Sequence, residues 1–455
     1  MRLRLASWSI ILLAAACTND AGTNDGGTLY PETSAIDGLA SVIQLSSGET
    51  SVVLADYFAD PAQVDSFHLG GGLSFSRPEA GELRISGTPD QAMTVLTAFA
   101  GSHQYALPVR ASRKITHRFS FDPQGNTYEQ VQLVGDLNDW NAARGPMTLQ
   151  DSVWTMETAL NPGKYGYKIS LDGRYISDPA NPDSASNGMG GFNSIVNLEG
   201  PDKTKLPRLR TMRHSESNVL LRVIGQADEV IVLWDNHRLS DAQVQFLGDN
   251  VSVTLPFAAR KRDRSFLRAW AVNQYGVSND ILIPLERGNV VTAPTQLTRE
   301  DKEASILYFL LVDRFHNGNT GNDAPVEDER VAPRANYFGG DLAGVREKLD
   351  NGFFKELGMN TIWLSPILQN PEGAFQEYPE PRRWFSGYHG YWPISFSNID
   401  HRFGTSEELQ ALVDAAHEQG INVILDVVSN HVHEQHPFIQ AHPDWSTDLD
   451  LPDGT

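Results

Sequence analysis

Asn422-Val-Ile-Leu-Asp-Val-Val428, continued by Ser429-Asn430-His431, is the stretch on which the fold of the C-terminal third turns. It is mostly β-branched and aliphatic and reads as a strand. Working outward, 406–419 has the pattern of a helix, and Thr361-Ile-Trp-Leu-Ser-Pro-Ile367 is a second strand-like run. A helical stretch covers about 342–357, and Ile306-Leu-Tyr-Phe-Leu-Leu-Val312 is a continuous apolar run, as expected for a strand buried on both faces. The order β-α-β-α-β predicts a parallel sheet, because parallel neighbours need crossover connections.

The rest of the chain reads differently. Between 36 and 113, short alternating runs such as Ser51-Val-Val-Leu54 and Leu83-Arg-Ile85 are broken by Gly, Pro and Asp, which predicts a small β-sandwich. A second, Ig-like sandwich is expected over 207–290, with Val219-Leu-Leu-Arg-Val223 and Val230-Ile-Val-Leu-Trp234 as strands; both modules read as spacers or docking modules. Residues 291–304, with Pro294 and several charges, read as a linker.

The composition narrows the function classes. The 455 residues carry a net charge of −21, spread along the chain, with 40% hydrophobic and 20% charged residues. An acidic surface repels nucleic acid and anionic membrane but is indifferent to a neutral polysaccharide. The single cysteine, Cys17, excludes an intrachain disulfide. It follows Arg2, Arg4 and a largely apolar run ending Leu13-Ala-Ala-Ala16, shorter than the about 20 residues of a membrane span. Residues 1–17 fit a signal peptide and resemble that of bacterial lipoproteins, which implies lipidation at Cys17. Residues 18–35 then form a flexible tether. The expected location is outside the cytoplasm, with the membrane engaged only through that lipid.

Residues 115–200 contain Val131-Gln-Leu-Val-Gly-Asp-Leu-Asn-Asp-Trp140, Trp154, Pro162-Gly-Lys-Tyr-Gly-Tyr-Lys168, Leu171-Asp-Gly-Arg-Tyr175 and Gly190-Gly-Phe-Asn-Ser194. This order resembles carbohydrate-binding module family 48, a glycogen-binding β-sandwich. The resemblance implies a sugar platform of Trp140, Lys168, Tyr175 and Asn193: aromatic planes stack on a glucose ring while the polar groups bond its hydroxyls. Core packing of the same aromatics is the alternative.

Beside the parallel sheet stand Asp313-Arg-Phe315, Phe338-Gly-Gly-Asp341, Gly387-Tyr-His-Gly-Tyr-Trp392, Ile399-Asp-His-Arg-Phe-Gly-Thr405 and Asp426-Val-Val-Ser-Asn-His431. Together they resemble the first third of the catalytic barrel of glycoside hydrolase family 13, the α-amylase family, over 305–455. The resemblance implies a multidomain chain whose β-sandwich modules precede the first β-α-β-α-β part of a (β/α)8 TIM barrel, truncated within the start of the inserted lid domain. The implied activity is retaining cleavage of an α-glucan such as starch, glycogen, maltodextrin, pullulan or cyclodextrin. Tyr391 is expected to stack beneath the sugar, His389 and His431 to bond its hydroxyls, Asp426 to order the site from below and Trp392 to line the adjoining pocket.

A retaining glycosidase needs two carboxylates about 5 Å apart. In the family pattern these follow later strands, and 305–455 holds about 150 of the roughly 250 residues of a whole barrel. Asp426, Glu434 and Asp444 match no family catalytic position, so no nucleophile or acid/base is assigned and residues 1–455 alone are expected to be inactive. A non-catalytic surface glucan-binding lipoprotein is the alternative.

Asn317-Gly-Asn-Thr-Gly-Asn-Asp323 places three asparagines and an aspartate within one short, glycine-containing loop. Such hard oxygen donors suit calcium, and the loop resembles a calcium loop of the neopullulanase and cyclodextrin-acting branches. The ligand set so implied is Asn317, Asn319, Asn322, Asp323, Asp341 and the Gly339 carbonyl, with Asn430 a further calcium ligand by family pattern. An EF-hand ending at Asp328 fails, because Gly321 replaces a ligand and Asn322 the required glycine. A zinc site at His431, His433 and His436 is a rival based on ligand spacing.

Overall fold

The computed structural model describes residues 34–187, 191–377 and 382–446. The expected signal peptide, Cys17, nearly all of the tether, Gly190 and the residues beyond 446 lie outside the described residues. The chain divides into two compact units, 1–114 with 200–290, and 115–199 with 291–455. Among the described residues no helix is long and apolar enough to cross a membrane.

The first unit contains two sandwiches. In one, a sheet ordered Ile43–Gln44, His103–Arg110, Met93–Ala100, Ser66–His68 accompanies a three-stranded sheet of Thr50–Val53, Glu82–Gly87 and Leu73–Glu79. Leu54, Leu83, Ile85, Leu96 and Leu107 lie in its core. The other pairs Arg208–His214, Asn218–Ile224, Asn250–Thr254 and Val244–Leu247 in one sheet and builds a six-stranded sheet around Glu229–Trp234, Arg264–Asn273 and Ile281–Glu286.

These sandwiches are not independent spacers. The apolar run 230–234 serves two cores: Val230, Val232 and Trp234 face their own sandwich. Ile231 and Leu233, with Trp270 and Val272, pack on Met93, Val95 and Ala106 of the other. Strand residues alternate between faces, so a run without polar interruptions marks a strand covered on both. Asn236 closes the seam, its carbonyl accepting from Ala106 N at 2.7 Å and its side chain bridging Ala40 N and Gly38 O, both at 2.8 Å.

His237 is buried in this seam, with Nδ1 2.7 Å from the Gln104 carbonyl and its ring tilted against Tyr105. Burial, reinforced by the nearby Arg262 and His103 charges, pulls it down to about 4 against the raising effect of that carbonyl. The unfolded chain therefore binds the extra proton first, and the stabilisation from a neutral His237 is complete above about pH 6.5 and lost as pH falls toward 4. Denaturant unfolding of this unit should lose up to about 3 kcal/mol between pH 7 and 4. A flattened profile in His237→Gln checks the assignment, and an unchanged one refutes it.

In the second unit, residues 115–199 form a sandwich of a three-stranded sheet and a five-stranded sheet centred on Gly163–Leu171. Its core includes Phe119, Val131, Leu133, Tyr167 and Ile169. From 307 onward, Leu307–Leu310, Thr361–Leu364 and Asn422–Leu425 form a parallel sheet in that order, in register at Leu310, Leu364 and Leu425. The helix Leu342–Asp350 is capped by Asp341, and Ser406–Glu418 starts with a Thr405–Glu408 capping box in which each side chain bonds the other's backbone N–H.

The expectation that the run 306–312 is buried on both faces needs correction here. Leu310, Ile362 and Leu364 pack with Leu342, Val345, Leu349, Leu412 and Ala416, whereas Leu307, Phe309, Trp363, Ile424 and Leu425 are exposed on described surface. The helices cover one face only; three strands do not close around the other.

Candidate active site

Strand ends and the loops after them gather the candidate side chains. The second strand is followed by about forty residues before the next helix, a length typical of functional loops. Gly390 lies in this loop at φ 84°, and any side chain there would collide with the Pro366 carbonyl just beyond the strand. That close approach brings His389, Tyr391 and Trp392 to the C-terminal end of the sheet, the working face of parallel α/β folds.

Tyr391 donates its hydroxyl to Asp426 Oδ2 at 2.8 Å, one residue past the third strand. Burial, and then this bond, pushes the phenol up to about 12, so it remains a protonated donor. His431 Nε2 lies 2.9 Å from the Tyr391 carbonyl, which makes that nitrogen the donor and leaves Nδ1 for a ligand. His389 Nδ1 accepts from Tyr391 N at 3.0 Å. Burial, helped by the Arg314 and His431 charges, pulls His389 down to about 4. It is neutral at pH 7, and with Nδ1 accepting, its proton sits on Nε2.

The His389 ring lies nearly parallel to Tyr391, centroids 6.1 Å apart, and edge-on to Trp392 at 4.6 Å. Two residues that sequence reasoning missed complete the wall. Phe375, on the strand Phe375–Gln376 that pairs antiparallel with Trp384–Phe385, stands edge-on to Trp392 and to His433. Arg314 is sandwiched 3.8 Å from Tyr388 and 3.9 Å from Phe338, paired at 2.8 Å with buried Asp313. Arg314 belongs to a quoted motif and was findable; Phe375 sits in an aperiodic Gly/Pro-rich loop and carried no signal.

The Asn/Asp loop has the chemistry of a hard-cation site. Asn317 and Asn322 each hold a buried side-chain oxygen without a hydrogen-bond partner, an arrangement that costs about 1–3 kcal/mol per group unless a ligand satisfies it. Asn317 Nδ2 donates to both oxygens of Asp323, at 2.9 and 3.0 Å. Gly339, at φ 84°, runs so close that a side chain there would strike Asp323 and Asn317. Asp341 Oδ1 accepts from Gly318 N and Gly344 N, and Oδ2 from Asn319 N, so one oxygen is saturated and the other keeps a lone pair. Asn319 Oδ1 accepts from Gly321 N, and Asn430 is exposed beyond the third strand. The residues present thus fit calcium.

They do not fit the rival zinc site. His433 and His436 each direct Nδ1 to a backbone N–H of their own turn, and His431 bonds Tyr391. Among the described residues no group of three or more His, Cys, Asp or Glu is arranged to hold a metal.

In the 115–199 sandwich, Trp140 and Tyr175 are 40% and 52% exposed, so neither is a core residue. Asp136 accepts from the Trp140 indole at 3.0 Å and from Gly166 N at 2.6 Å, while Asn193 packs on Gly166 from the adjacent strand. Lys168 follows on the same face, since Tyr167 and its partner Ser194 point into the core. Trp140, Lys168 and Asn193 therefore share one face, and Tyr175, paired with Ser170, belongs to it too.

The three-stranded parallel sheet thus carries tyrosine, histidine and aspartate side chains together at the C-terminal ends of its strands. Residues 309–448 match the family described as alpha amylase, catalytic domain. The chain is 32% identical over 200 residues to the periplasmic alpha-amylase of Escherichia coli (strain K12), covering 40% of this chain and 27% of that one. It is 33% identical over 157 residues to the cyclomaltodextrin glucanotransferase of Geobacillus stearothermophilus, covering 34% and 21%. Among solved structures, a maltogenic amylase from S. marinus is 22% identical over 75% of this chain and 50% of that one, with a TM-score of 0.32. The chain spans about a quarter of the length of the curated relatives it matches.

Proposed function

We propose that this chain is part of a glycoside hydrolase that cleaves α-glucans by a retaining mechanism. The observation that carries the reading is the Tyr391–Asp426 hydrogen bond flanked by His389 and His431 at the strand ends. In this reading the Tyr391 ring stacks on a glucose unit, His389 Nε2–H donates to a hydroxyl and Asp426 fixes the tyrosine. Neither carboxylate of the displacement is assigned within 1–455. The test is the protein carrying all eight barrel strands, offered starch, pullulan and cyclodextrin. Cleavage of at least one with retained anomeric configuration is expected, and cleavage of none overturns the reading; residues 1–455 alone should cleave none.

Calcium is proposed for the loop of Asn317, Asn319, Asn322, Asp323, the Gly339 carbonyl and Asp341, with Asn430 a further candidate ligand. When bound it supplies a fixed positive charge that ties the loop to the barrel start, and no catalytic step is routed through it.

The platform of Trp140, Lys168, Tyr175 and Asn193 is proposed to hold the polymer. The folded 115–199 module should be retarded in a glycogen-containing gel, and Trp140→Ala should remove the retardation while the far-ultraviolet spectrum stays unchanged. A folded wild-type module that migrates freely makes the face structural only.

We also propose an extracytoplasmic location with a lipid on Cys17; one relative is named a periplasmic alpha-amylase. The protein should partition with membranes and be released by Cys17→Ser, and a wild-type protein that never partitions counts against the anchor.

A further inference from the structure

We propose that Asn370 is a positioning residue for the sugar-binding wall, acting through Trp392 and anchored by the buried Asp400–Arg402 pair. This rests on the reading of the Tyr391–Trp392 loop as a sugar site. Asn370 is fully buried, just after the second strand. Its side chain has two directed bonds: Nδ2 donates to the Leu368 carbonyl at 2.7 Å, and Oδ1 accepts from Trp392 N at 2.8 Å. Its own backbone N–H donates to Asp400 Oδ2 at 3.0 Å. A side chain added at Gly387 would press on Asn370 Cβ, so Asn370 packs directly beneath the start of the aromatic loop.

The anchor is itself over-determined. Asp400 is fully buried and accepts from Gln369 Nε2, from Arg402 N and from the Arg402 guanidinium, the last two at 3.1 Å. Arg402, also buried, donates through Nε to the Ala324 carbonyl at 2.9 Å, bonds Glu372, and lies 4.5 Å over the Tyr337 ring. A buried ion pair contributes little net stability compared with apolar packing of the same volume. A fully bonded network does hold one geometry. Here that geometry ends at the Trp392 backbone, whose ring is already gripped by His389, Phe375 and His433. Ala324 adjoins Asp323, so the same pair fixes the end of the Asn/Asp loop.

The test is a double-mutant cycle in the protein carrying all eight barrel strands, with kcat and KM measured on maltoheptaose. Asn370→Ala should raise KM about 10-fold with kcat changed less than about 3-fold, and in a Trp392→Ala background it should change KM less than about 2-fold. Asn370→Ser is measured alongside, so that a folded variant is at hand if the alanine protein does not accumulate. An equal KM effect in both backgrounds, or a lowered melting temperature with unchanged kinetics, overturns the positioning role. A Trp392→Ala protein as effective as wild type overturns the sugar-wall reading beneath it. A defect in Trp392→Ala with none in either Asn370 variant overturns only the inference about Asn370.

Discussion

In the protein carrying all eight barrel strands, Asp426→Asn is expected to lower kcat/KM on a maltooligosaccharide by about 100-fold or more, corresponding to about 3 kcal/mol. The Asp426 carboxylate receives the Tyr391 hydroxyl at 2.8 Å, and hydrogen bonds to an ionised partner are roughly twice as strong as neutral ones. Asparagine keeps an acceptor oxygen but removes the charge and replaces the second oxygen with a donor. The tyrosine is then free to turn away from the sugar it is proposed to support. Tyr391→Phe, which keeps the ring and loses only the hydroxyl, should show a smaller loss than Tyr391→Ala. Melting temperatures measured beside the kinetics separate this from unfolding. A folded Asp426→Asn protein within about 3-fold of wild type would remove Asp426 from the site.

Chelation is expected to lower the melting temperature of the same protein by about 5–10 °C, corresponding to 2–4 kcal/mol of binding free energy at excess calcium. The orphaned oxygens of Asn317 and Asn322 are the reason: without a cation they face no donor and Asp323 loses its counter-charge. Asp323→Ala should melt near the chelated wild type and no longer respond to added calcium. Asn317→Ala should weaken the response without abolishing it, since one neutral ligand is lost. No chelator effect on wild type would leave the loop a polar turn.

How far the sequence could be read depended on how local the cause was. The parallel sheet followed from three strand-like runs and two periodic stretches, because strand and helix patterns are written within a dozen residues. The helix read over 342–357 is in fact two, Leu342–Asp350 and Phe353–Glu356, broken at Gly352 with φ 85°. Asn351-Gly352 is the local reason and was legible. Motifs made Tyr391 and Asp426, which share a hydrogen bond, and the asparagine loop legible as candidates. Asn370 and Phe375 were not, since their partners lie 22 and 17 residues away at Trp392 across an aperiodic loop. The run 230–234 read only as a strand of a spacer or docking module; its cover by Met93 and Val95 was not legible, because nothing in a strand identifies a partner so distant in the chain.

That distance has a consequence for biosynthesis. The sandwich that contains Met93, Val95 and Ala106 is complete by Arg110, yet the strands that cover those residues run to Val277, with residues 115–199 emerging in between. At about 5–20 residues per second, a nascent chain carries that apolar face uncovered for on the order of 10–30 s. The intervening module can fold by local strand pairing during that interval. The earlier sandwich is left as the species most in need of a holding chaperone, and a ribosome stalled between codons 115 and 229 would be expected to yield an aggregation-prone intermediate.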